Sequence, residues 1–157
     1  MCPCISILLK KNILPLIPNY ATLLPSLSDC WLLGIVDAEG CFTVSLLNTS
    51  NRFRIYFIIT QKWDANKYVL DHILSLFNCT GFVISRPNSE NWDLKIGGLE
   101  NCKCIFSYFD NFELKTKKSL SYIRWKEVHS KLALGLHLNS ITRQELIKLA
   151  SQINKFN

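Results

Sequence analysis

The sequence lacks any run of about 18 apolar residues, the length that a membrane-spanning helix requires. Its apolar beginning is broken by lysines and prolines and has no basic region ahead of it, so a secretory signal is not expected. It also lacks a C-x-x-C pair, close spacing of its histidines and a glycine-rich phosphate loop. These absences argue against a zinc site, a histidine-based nuclease and a nucleotide-binding P-loop.

The cysteines and the net charge restrict the class of protein further. Seven cysteines at irregular spacings are typical of reduced, mostly buried thiols in an intracellular compartment. The 157 residues suit one domain, and 48% hydrophobic residues provide for a sizeable core. A net charge of +6 favours a polyanionic partner. Charge alone leaves nucleic acid and an acidic membrane surface as alternatives.

Hydrophobic periodicity predicts an α+β domain over residues 27–157, preceded by a poorly ordered leader at 1–26. The first helix is expected to begin with Ser28 as its cap and to end at Gly40, and the last to begin with Ser140 as its cap. The other predicted elements are strands 42–47, 52–61, 81–85 and 92–96 and helices 64–77, 99–109, 116–132 and 140–153. Two hairpins beside helices indicate an antiparallel sheet covered on one face.

The segment from Leu32 to Gly40, Leu-Leu-Gly-Ile-Val-Asp-Ala-Glu-Gly, departs from the rules for a stable helix. Gly34 costs about 1 kcal/mol in a helix interior, which suggests close approach of another backbone. Asp37 and Glu39 oppose the negative end of the helix dipole. Such departures are expected at functional sites, although a buried helix with solvated acids at its end gives the same pattern. A carboxylate there is a hard ligand suited to Mg²⁺.

These nine residues resemble the motif of the LAGLIDADG homing endonucleases. The strand ending in Thr60-Gln61-Lys62 and the segment Leu114-Lys115-Thr116-Lys117-Lys118 resemble further family features. The resemblance covers about residues 27–132 and implies the family fold, α-ββ-α-ββ-α with a saddle-shaped antiparallel sheet.

The resemblance also implies an active site that cuts DNA with Mg²⁺ or Mn²⁺. Glu39 matches the acid that binds the metals, and Gly40 would add a backbone carbonyl beside it. Asp37 is expected to form hydrogen bonds at the helix end. Gln61 matches a residue that orients metal-bound or attacking water. Lys115 matches a basic residue beside the scissile phosphate, for which a phosphate clamp without a catalytic share is the alternative.

Because the motif occurs once, the resemblance implies a homodimer in which two motif helices pack side by side. Gly34 and Ala38 supply small residues for that crossing, with Trp31 and Ile35 on the same interface. A two-fold axis would bring two copies of Glu39 together and require a long, near-palindromic target.

The hairpins are expected to lie in the major groove of DNA. The predicted base-contacting residues are Thr43, Ser45, Arg52, Arg54, Tyr56, Arg86, Asn91, Asp93 and Lys95. The predicted phosphate contacts are Lys62, Lys103, Lys117, Lys118, Arg124 and Lys126. A solvated polar sheet face would have the same pattern.

The function implied is site-specific double-strand cleavage that serves intron homing. The alternatives are an RNA maturase that assists splicing, an inactive DNA-binding relative, or half of a larger chain. Intact Glu39, Gln61 and Lys115 favour the nuclease. Partners implied are duplex DNA, a second copy and, for a maturase, intron RNA, with no membrane. A sequence rich in Lys, Asn, Ile, Phe and Leu is consistent with a gene in an AT-rich mitochondrial or plastid genome.

Overall fold

The computed structural model describes residues 25–47 and 50–156. Most of the predicted leader, residues 1–24, lies outside this part. Its last two residues contact the domain: a ring nitrogen of His72 lies 2.8 Å from the carbonyl oxygen of Pro25, and the backbone N–H of Ser26 donates to Asp29 at 3.0 Å.

The described residues form an α+β domain. Its helices are α1 Trp31–Glu39, α2 Lys67–Phe77, α3 Leu99–Cys102, α4 Phe106–Asn111, α5 Lys118–Ala133 and α6 Ser140–Gln152. Its strands are β1 Gly40–Leu46, β2 Phe53–Lys62, β3 Gly81–Ser85 and β4 Asn91–Gly97. Short 3₁₀ turns lie at Asp64–Asn66, Lys103–Ile105 and Leu136–Leu138. The predicted order and the α+β class are confirmed.

The four strands form one antiparallel sheet in the order β1-β2-β4-β3. Residues paired across strands share a face, so the register divides the sheet into two sides. The core face carries buried residues such as Phe42, Phe57, Ile59 and Leu94. The opposite side, here called the open face, carries Cys41, Thr43, Ser45, Arg54, Tyr56, Ile58, Thr60, Lys62, Phe82, Ile84, Asn91, Asp93 and Lys95.

The core is organised around the aromatic ring of Phe42 on β1. That ring is fully buried, and its centroid lies 5.3 Å from the ring of Trp125 on α5 and 5.4 Å from the ring of Phe57 on β2. The indole nitrogen of Trp125 donates to the carbonyl oxygen of Thr43 at 3.1 Å. The strand that follows the motif helix is therefore fixed to α5 by packing and by a hydrogen bond.

Truncation of this ring tests the core. We expect Phe42→Ala to lower the free energy of unfolding by about 3–5 kcal/mol, because it removes a fully buried ring and leaves a cavity. Urea denaturation followed by circular dichroism measures the change. Phe82→Ala is the matched control, since the side chain of Phe82 is 48% exposed, and should cost about 1 kcal/mol or less. Equal losses for the two variants would contradict this account of the core.

Two predicted helix caps are wrong. The carboxylate of Asp29, rather than the hydroxyl of Ser28, accepts the backbone N–H of Trp31 at 2.9 Å. The side chain of Asn139, rather than that of Ser140, accepts the N–H groups of Ile141 and Thr142. Asn139 has the extended backbone that a capping residue requires, whereas Ser140 is already inside the helix.

The predicted single helix over 99–109 is instead α3, a 3₁₀ turn and α4. Side chains three residues apart are eclipsed in a 3₁₀ turn. The tighter winding therefore allows Cys102 and Ile105, both fully buried, to face the core together.

Candidate functional site

Helix α1, which carries the nine-residue motif, is buried on only one side. Leu32 and Val36 are fully buried against the core, whereas Gly34 and Ala38 are exposed and Trp31 is 40% exposed. A Cβ atom added at Gly34 would meet nothing within 4 Å. The backbone approach that Gly34 predicts is therefore not made by any residue in 25–47 or 50–156. The stripe formed by the exposed Trp31, Gly34 and Ala38 and the half-buried Ile35 is here called the motif face.

The chain turns from α1 into β1 at Gly40 without a loop. Gly40 has an extended backbone, with φ −70° and ψ 150°, and its N–H donates to the carbonyl oxygen of Val36. A Cβ at this position would lie 2.6 Å from Cγ1 and 2.8 Å from the carbonyl oxygen of Val36. Glycine is thus required by close approach rather than by a left-handed backbone. Glu39 consequently lies at a rigid helix–strand junction.

Asp37 forms hydrogen bonds at the end of α1. Its carboxylate accepts the backbone N–H of Lys115 at 2.8 Å, and the backbone N–H and hydroxyl of Thr116 at 3.2 and 2.7 Å. These contacts hold the segment before α5 against the end of α1. With its oxygens so occupied, Asp37 fits a positioning role better than that of a metal ligand.

Lys118 differs from the exposed phosphate contact that the sequence predicts. Its ammonium group donates to the carbonyl oxygens of Ala38 at 2.7 Å and Val36 at 3.2 Å. Burial lowers the pKa of Lys118, and the nearby carboxylates of Glu39 and Asp37 oppose that shift. A cation at the carbonyl end of a helix compensates its dipole. Lys118 therefore offsets part of the cost of placing two acids there.

The carboxylate of Glu39 is exposed and makes no hydrogen bond or ion pair with any residue in 25–47 or 50–156. No group of three or more histidine, cysteine, aspartate or glutamate side chains with metal-binding geometry occurs in that part of the chain. A Mg²⁺ ion is commonly held by one or two carboxylates together with substrate phosphates and water. The unpaired carboxylate of Glu39 fits this kind of site, in which the protein supplies only part of the ligands.

The sheet register brings the end of β2 to this junction. Gly40 pairs with Ile59, so Glu39 lies beside the last residues of β2, where Gln61 pairs with Trp92 on β4. The ammonium group of Lys115 is exposed and lies 3.4 Å from a carboxylate oxygen of Glu113. The end of α1 therefore adjoins the end of β2 through the strand register and the segment before α5 through the carboxylate of Asp37. Glu39, Gln61 and Lys115 come from these three elements.

The open face brings most of the predicted base-contacting residues together. On the first hairpin, Thr43 pairs with Tyr56 and Ser45 with Arg54, while Arg52 is exposed just before β2. On the second, Asn91 and Lys95 share the same side. The backbone N–H of Arg86 donates to the carbonyl oxygen of Asn91 at 2.8 Å, which extends the β3–β4 pairing by one residue.

Asp93 is buried, with 1% of its surface exposed, although the sequence pattern predicts an outward side chain. Its carboxylate accepts from Thr60 at 2.8 Å, from Nε of Arg86 at 3.0 Å and from Nζ of Lys95 at 3.1 Å. Burial alone would raise the pKa of Asp93, but the hydrogen bonds from Arg86, Thr60 and Lys95 outweigh it and hold the pKa below its usual value. Asp93 is the centre of an ionised cluster.

The predicted phosphate contacts have different surroundings. Three are paired with carboxylates: Lys62 with Glu90 at 3.4 Å, Lys103 with Glu100 at 2.8 Å and Lys126 with Asp110 at 2.5 Å. The guanidinium of Arg124 donates to the carbonyl oxygens of Gln152 and Lys155. Nζ of Lys117 lies 5.8 Å from the ring centroid of Phe156. Lys62 and Lys117 remain accessible, whereas Arg124 is committed to fixing the end of α6.

Arg143 on α6 is a positioning residue that the sequence does not indicate. It is buried, and its guanidinium donates to the carbonyl oxygens of Leu47, Ser50 and His137. Leu47 and Ser50 flank the turn between β1 and β2. The last helix thus holds the hairpin that carries Arg54.

Two apolar side chains on the open face were also missed. Phe82 is 48% exposed and Ile84 is 41% exposed, both on the edge strand β3. In the sequence, Phe82, Val83 and Ile84 form a continuous apolar run. Such a run does not indicate which of its side chains lie on the open face.

The first comparison with known proteins concerns sequence. Residues 32–129 match the family model described as LAGLIDADG endonuclease. The chain is 27% identical over 135 residues to a probable intron-encoded endonuclease 4 of Neurospora crassa, covering 83% of this chain and 24% of that protein. It is 27% identical over 115 residues to an uncharacterized cox1 intron-2 37.2 kDa protein of Schizosaccharomyces pombe, covering 72% of this chain and 34% of the relative. The chain therefore spans about a quarter to a third of these relatives.

The second comparison concerns solved structures. The homing endonuclease I-TnaI superposes with a TM-score of 0.73 at 25% identity, covering 86% of this chain and 92% of that one. The LAGLIDADG homing endonuclease I-LtrWI, bound to its target DNA, superposes with a TM-score of 0.76 at 22% identity, covering 99% of this chain and 53% of that one. None of the helices within 25–47 and 50–156 is both long and apolar enough to cross a bilayer. Over residues 32–129, from the motif helix into α5, this chain belongs to the LAGLIDADG endonuclease family.

Proposed function

We propose that the protein is a site-specific DNA endonuclease that makes double-strand breaks with the help of Mg²⁺ or Mn²⁺. The observation that carries this proposal is the exposed, unpaired carboxylate of Glu39 at the rigid end of α1. The side chains of its neighbours Asp37 and Lys118 instead form hydrogen bonds with the backbone of the domain. Family membership and a net charge of +6 support the same activity.

Each residue at the junction has a proposed task. The divalent metal supplies Lewis-acid stabilisation of the charge that develops on the phosphate. Glu39, with the backbone carbonyl of Gly40, holds that ion at the end of α1. Gln61 orients the attacking water by hydrogen bonding. Lys115 leaves its ion pair with Glu113, which is exposed and weak, and neutralises the scissile phosphate.

We further propose that two copies form the active enzyme through the motif face. Helices cross closely where small residues meet, and Gly34 and Ala38 leave room on an otherwise apolar surface. The exposed indole of Trp31 and the side chain of Ile35 would be covered in the dimer. A two-fold axis between the helices would place two Glu39 side chains near the two strands of a near-palindromic target.

The open face is proposed to bind the major groove. A twisted antiparallel sheet fits that groove, and the open face carries Arg54, Tyr56 and Lys95 in place of covering helices. Lys62, at the end of the open face, and Lys117, outside it, are proposed as phosphate contacts. Lys118 is omitted, because its ammonium group is committed to the carbonyls of α1.

We place the protein in the mitochondrion, encoded in that organelle's genome as an agent of intron homing. The similarity to a protein named for a cox1 intron supports this location over a plastid.

Cleavage selection tests the function directly. The purified chain is incubated with a randomised duplex library in Mg²⁺, in Mn²⁺ and in EDTA, and the new ends are sequenced. We expect double-strand ends at one long, near-palindromic site in either metal and none in EDTA. Failure to cut any duplex, together with protection of structured intron RNA from ribonuclease, would replace the nuclease by the maturase alternative.

A further inference from the structure

Asp93 and its three partners, Thr60, Arg86 and Lys95, form a cluster on the open face, here called the Asp93 cluster. It combines a buried acid with an exposed arginine, which a purely structural ion pair does not need. Asp93 lies in the middle of β4, opposite Thr60 on β2 and Ile84 on β3. It is 1% exposed, whereas the side chain of its partner Arg86 is 50% exposed. A buried carboxylate thus anchors an arginine that extends into solvent on the open face.

The anchoring uses one edge of the guanidinium group. Nε of Arg86 donates to Asp93 at 3.0 Å, and Nη2 donates to the hydroxyl of Thr60 at 3.3 Å. That hydroxyl itself donates to Asp93 at 2.8 Å. Of the five N–H groups of arginine, those on Nη1 and the second on Nη2 have no partner in the described part of the chain. They form the outer edge of the fork.

This arrangement suits a base better than a phosphate. Arg86 and Lys95 share the charge of one carboxylate, so the cluster carries a net charge of only +1. A phosphate contact needs charge and tolerates a mobile side chain, whereas base recognition needs donors held in a fixed direction. Guanine is the base that offers two acceptors, O6 and N7, to such a fork.

Resting on the proposed endonuclease function, we propose that Arg86 recognises one guanine in each half-site and that Asp93 is the positioning residue that fixes its orientation. The side chain of Arg54, on the first hairpin, makes no hydrogen bond or ion pair within the described residues and lacks such an anchor. The two hairpins therefore differ in how sharply they discriminate bases.

The exposed side chain of Ile84, beside Arg86, predicts a second base contact at a fixed distance from the guanine. Ile84 is the next open-face position from Arg86 along the β3 side and is 41% exposed. Two residues of a strand span about 7 Å, close to two base-pair steps of about 3.4 Å each. An exposed isoleucine can contact the methyl group of thymine. We expect a thymine about two base pairs from the guanine.

The test measures binding without cleavage, in EDTA, on the duplex that cleavage selection yields and on all single-base variants of its half-site. Arg86→Ala should weaken binding to the selected duplex about 10- to 100-fold and flatten the base preference at one position of each half-site. Arg86→Lys should lose the same preference while keeping binding to unrelated duplex DNA. Lys131→Gln, which removes one charge on α5 outside the open face, is the control and should change neither.

Asp93→Asn separates positioning from charge. The variant loses one negative charge, which raises the net charge of each chain by one, so binding to unrelated duplex DNA should stay the same or tighten. The preference for guanine should nevertheless fall about tenfold, because the fork is no longer held. A general loss of structure would instead weaken both kinds of binding.

A measurement on the unaltered protein does not depend on any variant folding. Replacing the assigned guanine by 7-deazaguanine removes the N7 acceptor and should weaken binding by wild-type protein but not by Arg86→Ala. Equal weakening by Arg86→Ala at every sequence, with no response to 7-deazaguanine, would make Arg86 a phosphate contact and overturn this proposal while the nuclease stands. If the wild-type chain binds no duplex at all, both proposals fail.

Discussion

Glu39→Gln is expected to reduce cleavage of the selected duplex by about a thousandfold while DNA binding changes little. The substitution keeps the size of the side chain and removes the charge that would hold the metal, a loss of several kcal/mol of transition-state stabilisation. Because Glu39 is exposed and unpaired among the described residues, the free energy of unfolding should change by less than about 0.5 kcal/mol. Single-turnover cleavage in Mg²⁺ and gel-shift binding in EDTA measure the two effects.

The matched control for this substitution is Glu127→Gln. Glu127 is also an exposed glutamate, and its carboxylate pairs with Lys131 on α5, away from the junction. Its replacement should leave cleavage within about twofold of the wild-type rate, since exposed pairs of this kind contribute little. Wild-type cleavage by Glu39→Gln would show that the metal is held elsewhere. Loss of both binding and cleavage would show that Glu39 serves the DNA interface.

Gly34→Leu is expected to dissociate the proposed dimer without harm to the fold of each chain. Gly34 is exposed and no described residue lies within 4 Å of a Cβ at this position, so a larger side chain meets no clash at its first atom. Replacing a glycine inside a helix should even stabilise the chain by about 0.5–1 kcal/mol. In a dimer with crossing motif helices, the same side chain is introduced twice where backbones must approach. At about 1–3 kcal/mol for each overpacked site, the dimer loses about 2–6 kcal/mol.

Sedimentation velocity over a range of concentrations measures the association, and thermal unfolding measures the chain. Ala133→Leu on α5 is the control, because Ala133 is an exposed small residue on another helix and the variant presents the same leucine side chain there. We expect that control to remain dimeric. A Gly34→Leu variant that sediments as the wild type does would place the interface away from the motif face. A wild-type chain that binds DNA as a single copy would remove the dimer from the proposal.

The elements of this fold follow from local patterns. The alternation in β2 indicates its two faces, and the structure places Ile55, Phe57 and Ile59 in the core as that pattern requires. The strand predicted over 42–47 is β1 at Gly40–Leu46, so its boundary moved by at most two residues. The boundary moved because the close contact of Gly40 with Val36 lets the strand begin directly at the end of α1.

The parts of the site that were missed depend on contacts between residues distant in sequence. Lys118 and the carbonyl of Ala38 are 80 residues apart, and Arg143 and the carbonyl of Ser50 are 93 apart. A basic residue looks the same in the sequence whether it faces phosphate or a helix end. Asp93 shows the same limit, because alternation assigns it to the polar face without showing that three donors cover it there.

The motif was informative for a physical reason. Gly34, Asp37 and Glu39 each lower the stability of α1 as an isolated helix. Two of them have a place in the structure: Asp37 holds the segment before α5, and Gly34 keeps the motif face open. Glu39 has no such contact within the described residues, and it is the residue to which the proposal assigns the chemistry.

The three carbonyl contacts of Arg143 have a consequence for transplanting DNA specificity between proteins. The family match ends at residue 129, yet the guanidinium that secures the β1–β2 turn comes from the helix beyond it. Moving only the first hairpin into another scaffold would leave the carbonyls of Leu47 and Ser50 without their donor and the loop free to shift. A functional graft from this protein must therefore include residues 133–156 together with the strands they restrain.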